Sequence, residues 1–139
     1  MHGPINIRFS SNFNILKLIS IVAVKPIVQL TMDPPTPVTE LDKLNITLMC
    51  KVESGNPDIL LAVRWTYDGE LLKELPDCGG NATDYLFCDI DPSKLLLEDV
   101  GRGFHGNYSC EGMNEAGWGP LSADEELIVY CKFTVSLVP

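Results

Sequence analysis

The stretch that decides the fold is Phe104-His105-Gly106-Asn107-Tyr108-Ser109-Cys110-Glu111-Gly112-Met113-Asn114-Glu115-Ala116-Gly117. It places a Tyr two residues before a Cys and then alternates into a turn that contains Gly, a pattern typical of a strand that enters a hairpin. If this strand is the spine of a two-sheet sandwich, a second Cys should lie on an earlier strand, with a Trp between the two. Cys50 and Trp65 occupy those positions.

Length and composition indicate one globular domain with a short remainder. The chain has 139 residues, whereas a sandwich domain takes about 100. Hydrophobic residues make up 45% and charged residues 21%, which is typical neither of a disordered segment nor of a membrane protein. Ten Lys and Arg against nineteen Asp and Glu give a formal charge of -9. This charge repels nucleic acid, which is not expected as a partner.

The cysteines and the glycosylation triplets favour an oxidising compartment. The five Cys form no C-x-x-C pair, and neither His2 nor His105 has the spacing of a zinc site. Disulfides are therefore favoured, and no metal or other cofactor is expected. Three acceptor triplets for N-linked glycans begin at Asn45, Asn81 and Asn107. Together these features predict an extracellular or cell-surface location reached through the secretory pathway.

Alternation of apolar and polar residues predicts about seven strands and no amphipathic helix, which is typical of an antiparallel sandwich. Prolines between residues 33 and 37 should break the first strand at a sheet edge. Asp68-Gly69 should close a hairpin. Residues 54–57 should form a turn, and residues 73–92 a loop with one short strand. The predicted strands are Pro26–Met32, Asn45–Val52, Leu61–Tyr67, Tyr85–Phe87, Leu95–Val100, the opening stretch and Glu126–Tyr130.

The two ends of the chain do not share the strand pattern. Residues 1–24 are interpreted as a leader, either a weak signal peptide or a misassigned segment. Residues 25–130 form the predicted domain, and residues 131–139 form a tail outside it. Cys131 belongs to that tail, or else pairs with another chain. No uncharged apolar run approaches the roughly 18 residues of a membrane span, so no direct membrane span is expected.

The motifs around Cys50, Trp65 and Cys110 together resemble those of the immunoglobulin superfamily, most closely its I-set (Ig-like C2-type) domains. The resemblance covers residues 25–130 and rests on Leu48-x-Cys50, Val63-x-Trp65, Asp68-Gly69, Leu95-x-Leu97-x-x-Val100, Gly106-x-Tyr108-x-Cys110 and Gly112-x-Asn114-x-x-Gly117. It implies an all-β, immunoglobulin-like two-sheet antiparallel sandwich.

The resemblance also implies roles for single residues. Cys50 should form an inter-sheet disulfide with Cys110, Trp65 should pack against that bridge, and Leu97 should lie in the core. Tyr108 should be the tyrosine corner. The alternative for the two cysteines is a pair of buried free thiols. The chain departs from the family at Phe104, where an Asp is usual. The ion pair made by that Asp is therefore not expected, and Phe104 should add apolar area to the core instead.

Two further cysteines, Cys78 and Cys88, lie ten positions apart in the irregular region. Joining them would close the loop and stabilise it by roughly 3 kcal/mol on the chain-entropy model. The alternative is a pair of unpaired surface thiols. The disulfide is favoured because unpaired thiols are unusual in secreted proteins.

Side chains alternate between the two faces of a strand, so counting by two from Cys110 separates inward from outward residues. This count predicts a candidate protein-contact surface. Glycans on Asn45, Asn81 and Asn107 would shield other parts of the domain. The residues left bare are Arg64, Thr66, Glu111, Met113, Ile128 and Tyr130, beside the turn with Trp118. Trp118 is either an exposed anchor or, as is favoured, a side chain folded back on its own hairpin or a neighbouring domain.

The resemblance implies a non-catalytic extracellular binding module of a cell-surface adhesion or recognition protein, which contacts other Ig-like domains of the same or another chain. The domain resembles one repeat of a multi-domain ectodomain. The alternative is a structural spacer with no ligand of its own. An enzyme is disfavoured, because the sequence offers no Ser or Cys nucleophile with a matching His and acid, and no paired carboxylates.

Overall fold

The computed structural model describes residues 22–78 and 88–131. Within these ranges the chain forms ten strands and two single-turn 3-10 helices, at Glu40–Asp42 and Arg102–Phe104. The strands are β1 (Val24–Asp33), β2 (Val38–Thr39), β3 (Ile46–Asn56), β4 (Ala62–Tyr67), β5 (Glu70–Leu75), β6 (Lys94–Leu97), β7 (Gly106–Asn114), β8 (Gly117–Trp118), β9 (Glu125–Leu127) and β10 (Val129–Tyr130).

The strands form the two-sheet sandwich that the sequence predicts. One sheet has the order β1-β3-β6 and is antiparallel throughout. The other has the order β5-β4-β7-β8, and β9 also pairs with β7. After one intervening residue, β10 pairs in parallel with β2. The chain therefore leaves the first sheet after β1 and resumes as β2 beside the second sheet, which confirms the predicted break at the prolines.

The core lies between the sheets and follows the predicted parity. Ile46, Leu48 and Cys50 of β3 are buried, as are Val63 and Trp65 of β4. On β6, Leu97 is buried whereas its neighbour Leu96 is 51% exposed. The remaining buried core side chains include Val28, Leu30, Val38, Leu75, Val100, Tyr108, Cys110, Leu127 and Val129.

Two strands extend further than the sequence predicts. β3 continues to Asn56 through the predicted turn, because Ser54 lies opposite Ile27 and Asn56 lies opposite Val24 on β1. β5 continues into the predicted loop as far as Leu75, which is buried opposite Val63. In both cases pairing with a neighbouring strand outweighs local turn or loop composition. The strand predicted at residues 85–87 lies outside the described residues.

A disulfide joins the two sheets at Cys50 on β3 and Cys110 on β7, with a Cα–Cα distance of 6.2 Å. Trp65 is fully buried in the same core cluster. The Tyr108 hydroxyl donates a hydrogen bond of 2.7 Å to the carbonyl of Phe104, four residues upstream. This is the bond that defines a tyrosine corner. The Phe104 side chain packs against the core.

A second disulfide joins Cys78 to Cys88, whose Cα atoms are 5.8 Å apart. It connects the end of the β5 region to the segment that leads into β6. No helix among residues 22–78 and 88–131 is long and apolar enough to cross a membrane. The predicted leader and tail lie almost entirely outside the described residues, and the first strand begins at Val24, one residue before the predicted domain boundary.

Candidate functional site

The outward side of the second sheet carries a row of three charged side chains. Arg64 on β4 lies opposite Glu74 on β5 and Glu111 on β7, so one residue from each of three adjacent strands stands at the same level. The Arg64 Nε donates to Glu74 Oε1 at 2.9 Å, and its Nη1 donates to Glu111 Oε1 at 3.4 Å. The hydrogen bond to Glu74, together with Glu111, raises the pKa of the Arg64 guanidinium. Arg64 is therefore held as a fixed cation in the row.

Trp118 packs against this row. It lies on β8 opposite Met113 of β7, and the guanidinium carbon of Arg64 is 3.9 Å from the centroid of its ring. A cation this close to an indole face is attracted by the ring quadrupole. Trp118 therefore folds back onto its own sheet, as the favoured interpretation of the sequence has it. The indole is partly buried rather than fully exposed.

The structure divides the predicted contact surface between two ends of the sheet. Trp118 lies at the level of Met113, near the end of β7. Leu127 lies at the level of Gly106, where β7 begins, and Ile128 and Tyr130 follow it along the chain. Seven residues of an extended strand separate Gly106 from Met113, about 24 Å. The prediction that Ile128 and Tyr130 share one surface with Trp118 is therefore wrong, because sequence parity gives a face but not a position along it.

We call the surface that remains the upper face. Its members lie on the outward side of the second sheet, toward the end at which β7 finishes. Met113 and Glu111 are each partly exposed there. Thr66 is also partly exposed, but it lies lower on the sheet, at the level of Ser109 and Leu71. Parity also directs Ser109 outward, but Ser109 is only 2% exposed. The upper face consists of Arg64, Glu74, Glu111, Met113 and Trp118.

Asn114 fixes the end of the sandwich next to the upper face. Its side-chain amide donates to the carbonyls of Val24 and Pro57, at 2.7 and 3.1 Å, and its Oδ1 accepts the N–H of Ala116 at 2.8 Å. The residue is only 2% exposed. One side chain thus ties together the start of β1, the loop before β4 and the turn between β7 and β8. The sequence motif contains Asn114 but does not reveal these partners, because they are distant in the chain.

A separate set of bonds closes the lower end of the same sheet. The Tyr67 hydroxyl donates to the carbonyl of His105 at 2.6 Å. His105 Nδ1 in turn accepts the backbone N–H of Val129 at 3.1 Å. The rings of Tyr67 and Tyr108 lie 4.9 Å apart. Both ends of the face are thus fixed by side-chain hydrogen bonds to the backbone, which makes it a rigid surface.

Two of the three glycosylation triplets fall within the described residues. Asn45 is exposed just before β3, and its Oδ1 accepts the backbone N–H of Asp99 at 3.0 Å. Asn107 is exposed near the start of β7, on the same sheet as the upper face. Asn81 lies outside the described residues.

The two-sheet topology, the disulfide between β3 and β7, the buried Trp65 and the tyrosine corner together define an immunoglobulin-like domain. Among solved structures, the ectodomain of mouse nectin-like molecule 4 aligns with a TM-score of 0.52 at 24% identity, covering 79% of this chain and 32% of that one. This likeness shows a shared fold. Murine CEACAM1b aligns with a TM-score of 0.47 at 19% identity, over 78% of this chain and 45% of that one.

The sequence is also similar to a curated protein. Over 94 residues, 66% of this chain, it is 34% identical to the B-cell receptor CD22 of Mus musculus. The matched region spans 10% of that protein, so the chain corresponds to about a tenth of its length. No protein-family model matches the chain.

Proposed function

We propose that the chain provides a non-catalytic, extracellular Ig-like binding module of a cell-surface adhesion or recognition protein, and that residues 25–130 form this module. The similarity to a B-cell receptor supports the class, since it extends over 66% of the chain. The two disulfides support an oxidising, extracellular environment. Fold alone does not give a function, so the contact depends on the residues of the surface.

The observation that carries the proposal is the arrangement of Arg64, Glu74, Glu111 and Trp118 on a rigid sheet. Arg and Trp are the residue types most enriched at the centres of protein interfaces. Here both are held in place before any partner arrives, which lowers the entropic cost of ordering them on binding. The row contains one cation and two carboxylates, so it keeps one negative charge. A protein partner, in particular another Ig-like domain, that offers basic groups or hydrogen-bond donors fits this charge.

The same arrangement also supports a second candidate. Because Arg64 already has two carboxylate partners and a stacked ring, the row is satisfied without any ligand. A spacer domain, which only sets the distance between neighbouring domains, requires no more than this. The two candidates differ in whether substitutions on the upper face change binding.

The test uses the domain secreted from mammalian cells and displayed on fluorescent beads. Bead aggregation measures binding to a second copy, and a panel of immobilised Ig-like ectodomains measures binding to other partners. Arg64→Glu reverses the cation of the upper face, and Lys94→Glu makes the same charge change at an exposed position on β6 of the other sheet. We expect Arg64→Glu to weaken binding at least several-fold and Lys94→Glu to leave it unchanged. Equal binding by both variants and the parent, at unchanged melting temperatures, would favour the spacer.

A further inference from the structure

Asn107 stands on the same sheet as the upper face but at its lower end. Its backbone N–H donates to Asp68 Oδ1 at 2.9 Å, and its carbonyl accepts the Asp68 N–H at 2.8 Å. These bonds fix the position of the residue beside the hairpin between β4 and β5. Tyr108 and Cys110 point into the core, so the Asn107 side chain, one residue out of phase, points out to solvent. The side chain is exposed and begins a glycosylation triplet.

The register between strands identifies the residues that surround Asn107. Glu126 lies directly opposite it on β9. Two residues further along β7, Ser109 lies opposite Thr66, which in turn lies opposite Leu71 on the edge strand β5. Two strand spacings and two residues give a distance of about 12 Å between Asn107 and Leu71. Leu71 is 64% exposed on this face.

The upper face is further away along the same strand. Four residues separate Asn107 from Glu111, about 14 Å, and six separate it from Met113, about 20 Å. A bulky group on Asn107 would thus meet Leu71 before it met the row that contains Arg64. The lower half of the sheet would be covered and the upper face left open.

We propose that Asn107 carries an N-linked glycan that covers the lower half of this sheet, including Leu71, and confines protein contact to the upper face. The effect on contact rests on the proposed function, whereas the modification and the covering do not. In the transfer, Asn107 Nδ2 bonds to the anomeric carbon of an oligosaccharide linked to a lipid diphosphate. The amide loses a proton to a base of the transferase, and the lipid diphosphate leaves as the bond between the anomeric carbon and oxygen breaks.

The glycan predicted at Asn45 acts as an internal comparison. Asn45 precedes β3 of the opposite sheet, and the bond from the Asp99 N–H occupies its Oδ1. Its Nδ2 therefore remains available for the glycosidic bond. A glycan there would extend from the other side of the sandwich and leave Leu71 uncovered.

Occupancy is tested by the intact mass of the secreted protein. Asn107→Gln should remove one glycan mass, and Thr47→Val should remove the glycan of Asn45 without changing Asn45 itself. Ser109→Ala is a second variant that destroys the Asn107 triplet and keeps Asn107. An unchanged mass for both Asn107→Gln and Ser109→Ala would overturn the proposal.

Covering is tested by hydroxyl-radical footprinting, which needs no partner. We expect Leu71 to be oxidised several-fold less in the parent and in Thr47→Val than in Asn107→Gln, while Met113 and Trp118 are oxidised equally in all three. Equal oxidation of Leu71 in every protein, or protection of Met113 and Trp118 by the Asn107 glycan, would overturn the proposal. Because footprinting does not depend on binding, failure of the bead assay alone refutes the binding module and not the glycan cover.

Discussion

The guanidinium carbon of Arg64 lies 3.9 Å from the centroid of the Trp118 ring, and this contact joins β4 to β8 across β7. Replacing Arg64 with Gln removes the cation and exposes one face of the indole. We expect Trp118 fluorescence to shift to the red and to be quenched more strongly by acrylamide. The only other Trp is the fully buried Trp65, so the change reports on Trp118.

Arg102→Gln is the matched control, because Arg102 pairs with Glu40 through a similar bond of 2.9 Å and is well exposed. It should leave the fluorescence unchanged. Both variants should unfold at nearly the parent's urea midpoint, since exposed ion pairs contribute little to stability. Parent-like quenching of Arg64→Gln would mean that Arg64 does not cover the ring in solution.

The disulfide between Cys50 and Cys110 should be the largest single covalent contribution to stability. It closes a loop of 60 residues, for which the chain-entropy model gives about 4 kcal/mol. This is a large share of the roughly 5–15 kcal/mol that stabilises a typical domain. Replacing both cysteines with Ala should lower the free energy of unfolding by about that amount, as measured by urea denaturation followed by Trp fluorescence.

Replacing Cys78 and Cys88 with Ser provides the comparison. This bridge closes a loop of only 10 residues, and the same model gives about 3 kcal/mol. The loss of free energy of unfolding should therefore be about 1.6 kcal/mol smaller. A larger loss for the Cys78 and Cys88 pair would contradict the loop-length explanation and would indicate that this bridge stabilises more than its own loop.

Tyr108 should make the domain unstable at alkaline pH. Burial, with smaller contributions from Tyr67 and the Asp68 carboxylate, raises the pKa of the Tyr108 hydroxyl well above its ordinary range. The unfolded chain then releases the proton first as pH rises, so the folded state binds more protons and stability falls with pH. The contribution is fully present below about pH 10, the ordinary pKa of Tyr, and is lost above it.

The measurement is urea denaturation at a series of pH values from neutral to strongly alkaline. Tyr108→Phe should be less stable than the parent at neutral pH, by about 1 kcal/mol for the lost bond to Phe104. This variant should also lose less stability than the parent as the pH rises above the pKa of free Tyr. Tyr130→Phe is the control, because Tyr130 is 50% exposed. An alkaline decline as steep in Tyr108→Phe as in the parent would assign the decline to other groups.

Asn114 should contribute more to stability than other asparagines that make side-chain hydrogen bonds. Replacing it with Ala removes two donated bonds and one accepted bond at a site that is only 2% exposed. The free energy of unfolding should fall by about 3 kcal/mol, since each bond contributes roughly 1 kcal/mol. Hydrogen exchange should also speed up in the loop before β4 and in the turn after β7.

Asn56→Ala is the comparison for Asn114→Ala. Asn56 also donates its amide to a backbone carbonyl, that of Val22 at 2.8 Å, but it does so at an exposed site. Asn56→Ala should therefore lower the free energy of unfolding by less than about 1 kcal/mol. Similar losses for the two variants would mean that burial of the Asn114 bonds adds nothing.

Local patterns were sufficient for most of the fold. The alternation around Cys50 and Trp65 identified the inward side chains, because a strand has a strict period of two residues. The interval from Tyr108 to Cys110, with Cys50 and Trp65 before it, indicated the inter-sheet bridge and the tyrosine corner through resemblance. The ends of β3 and β5 were missed, since pairing with β1 and β4 extends strands through residues that favour turns when considered alone.

The candidate site was only partly predictable. Parity identified Arg64, Thr66, Glu111 and Met113 as outward residues of one sheet, and the sequence also singled out Trp118. It did not reveal that Glu74 completes the charged row, because local composition predicts a loop over residues 73–92. Its position opposite Arg64 depends on the register of β5, which contains an irregularity between Trp65 and Thr66 on the facing strand.

The sequence by itself thus determined which side chains face inward, because this follows from spacing along one strand. Through the resemblance that its short motifs carry, it also indicated the class of the domain and the disulfide between the sheets. Only the tertiary structure decided how outward residues of different strands come together. The register between strands places Arg64 between Glu74 and Glu111 and beneath Trp118, and it moves Ile128 and Tyr130 to the other end of the sheet. Register depends on pairing between residues distant in the chain, and no local pattern contains that information.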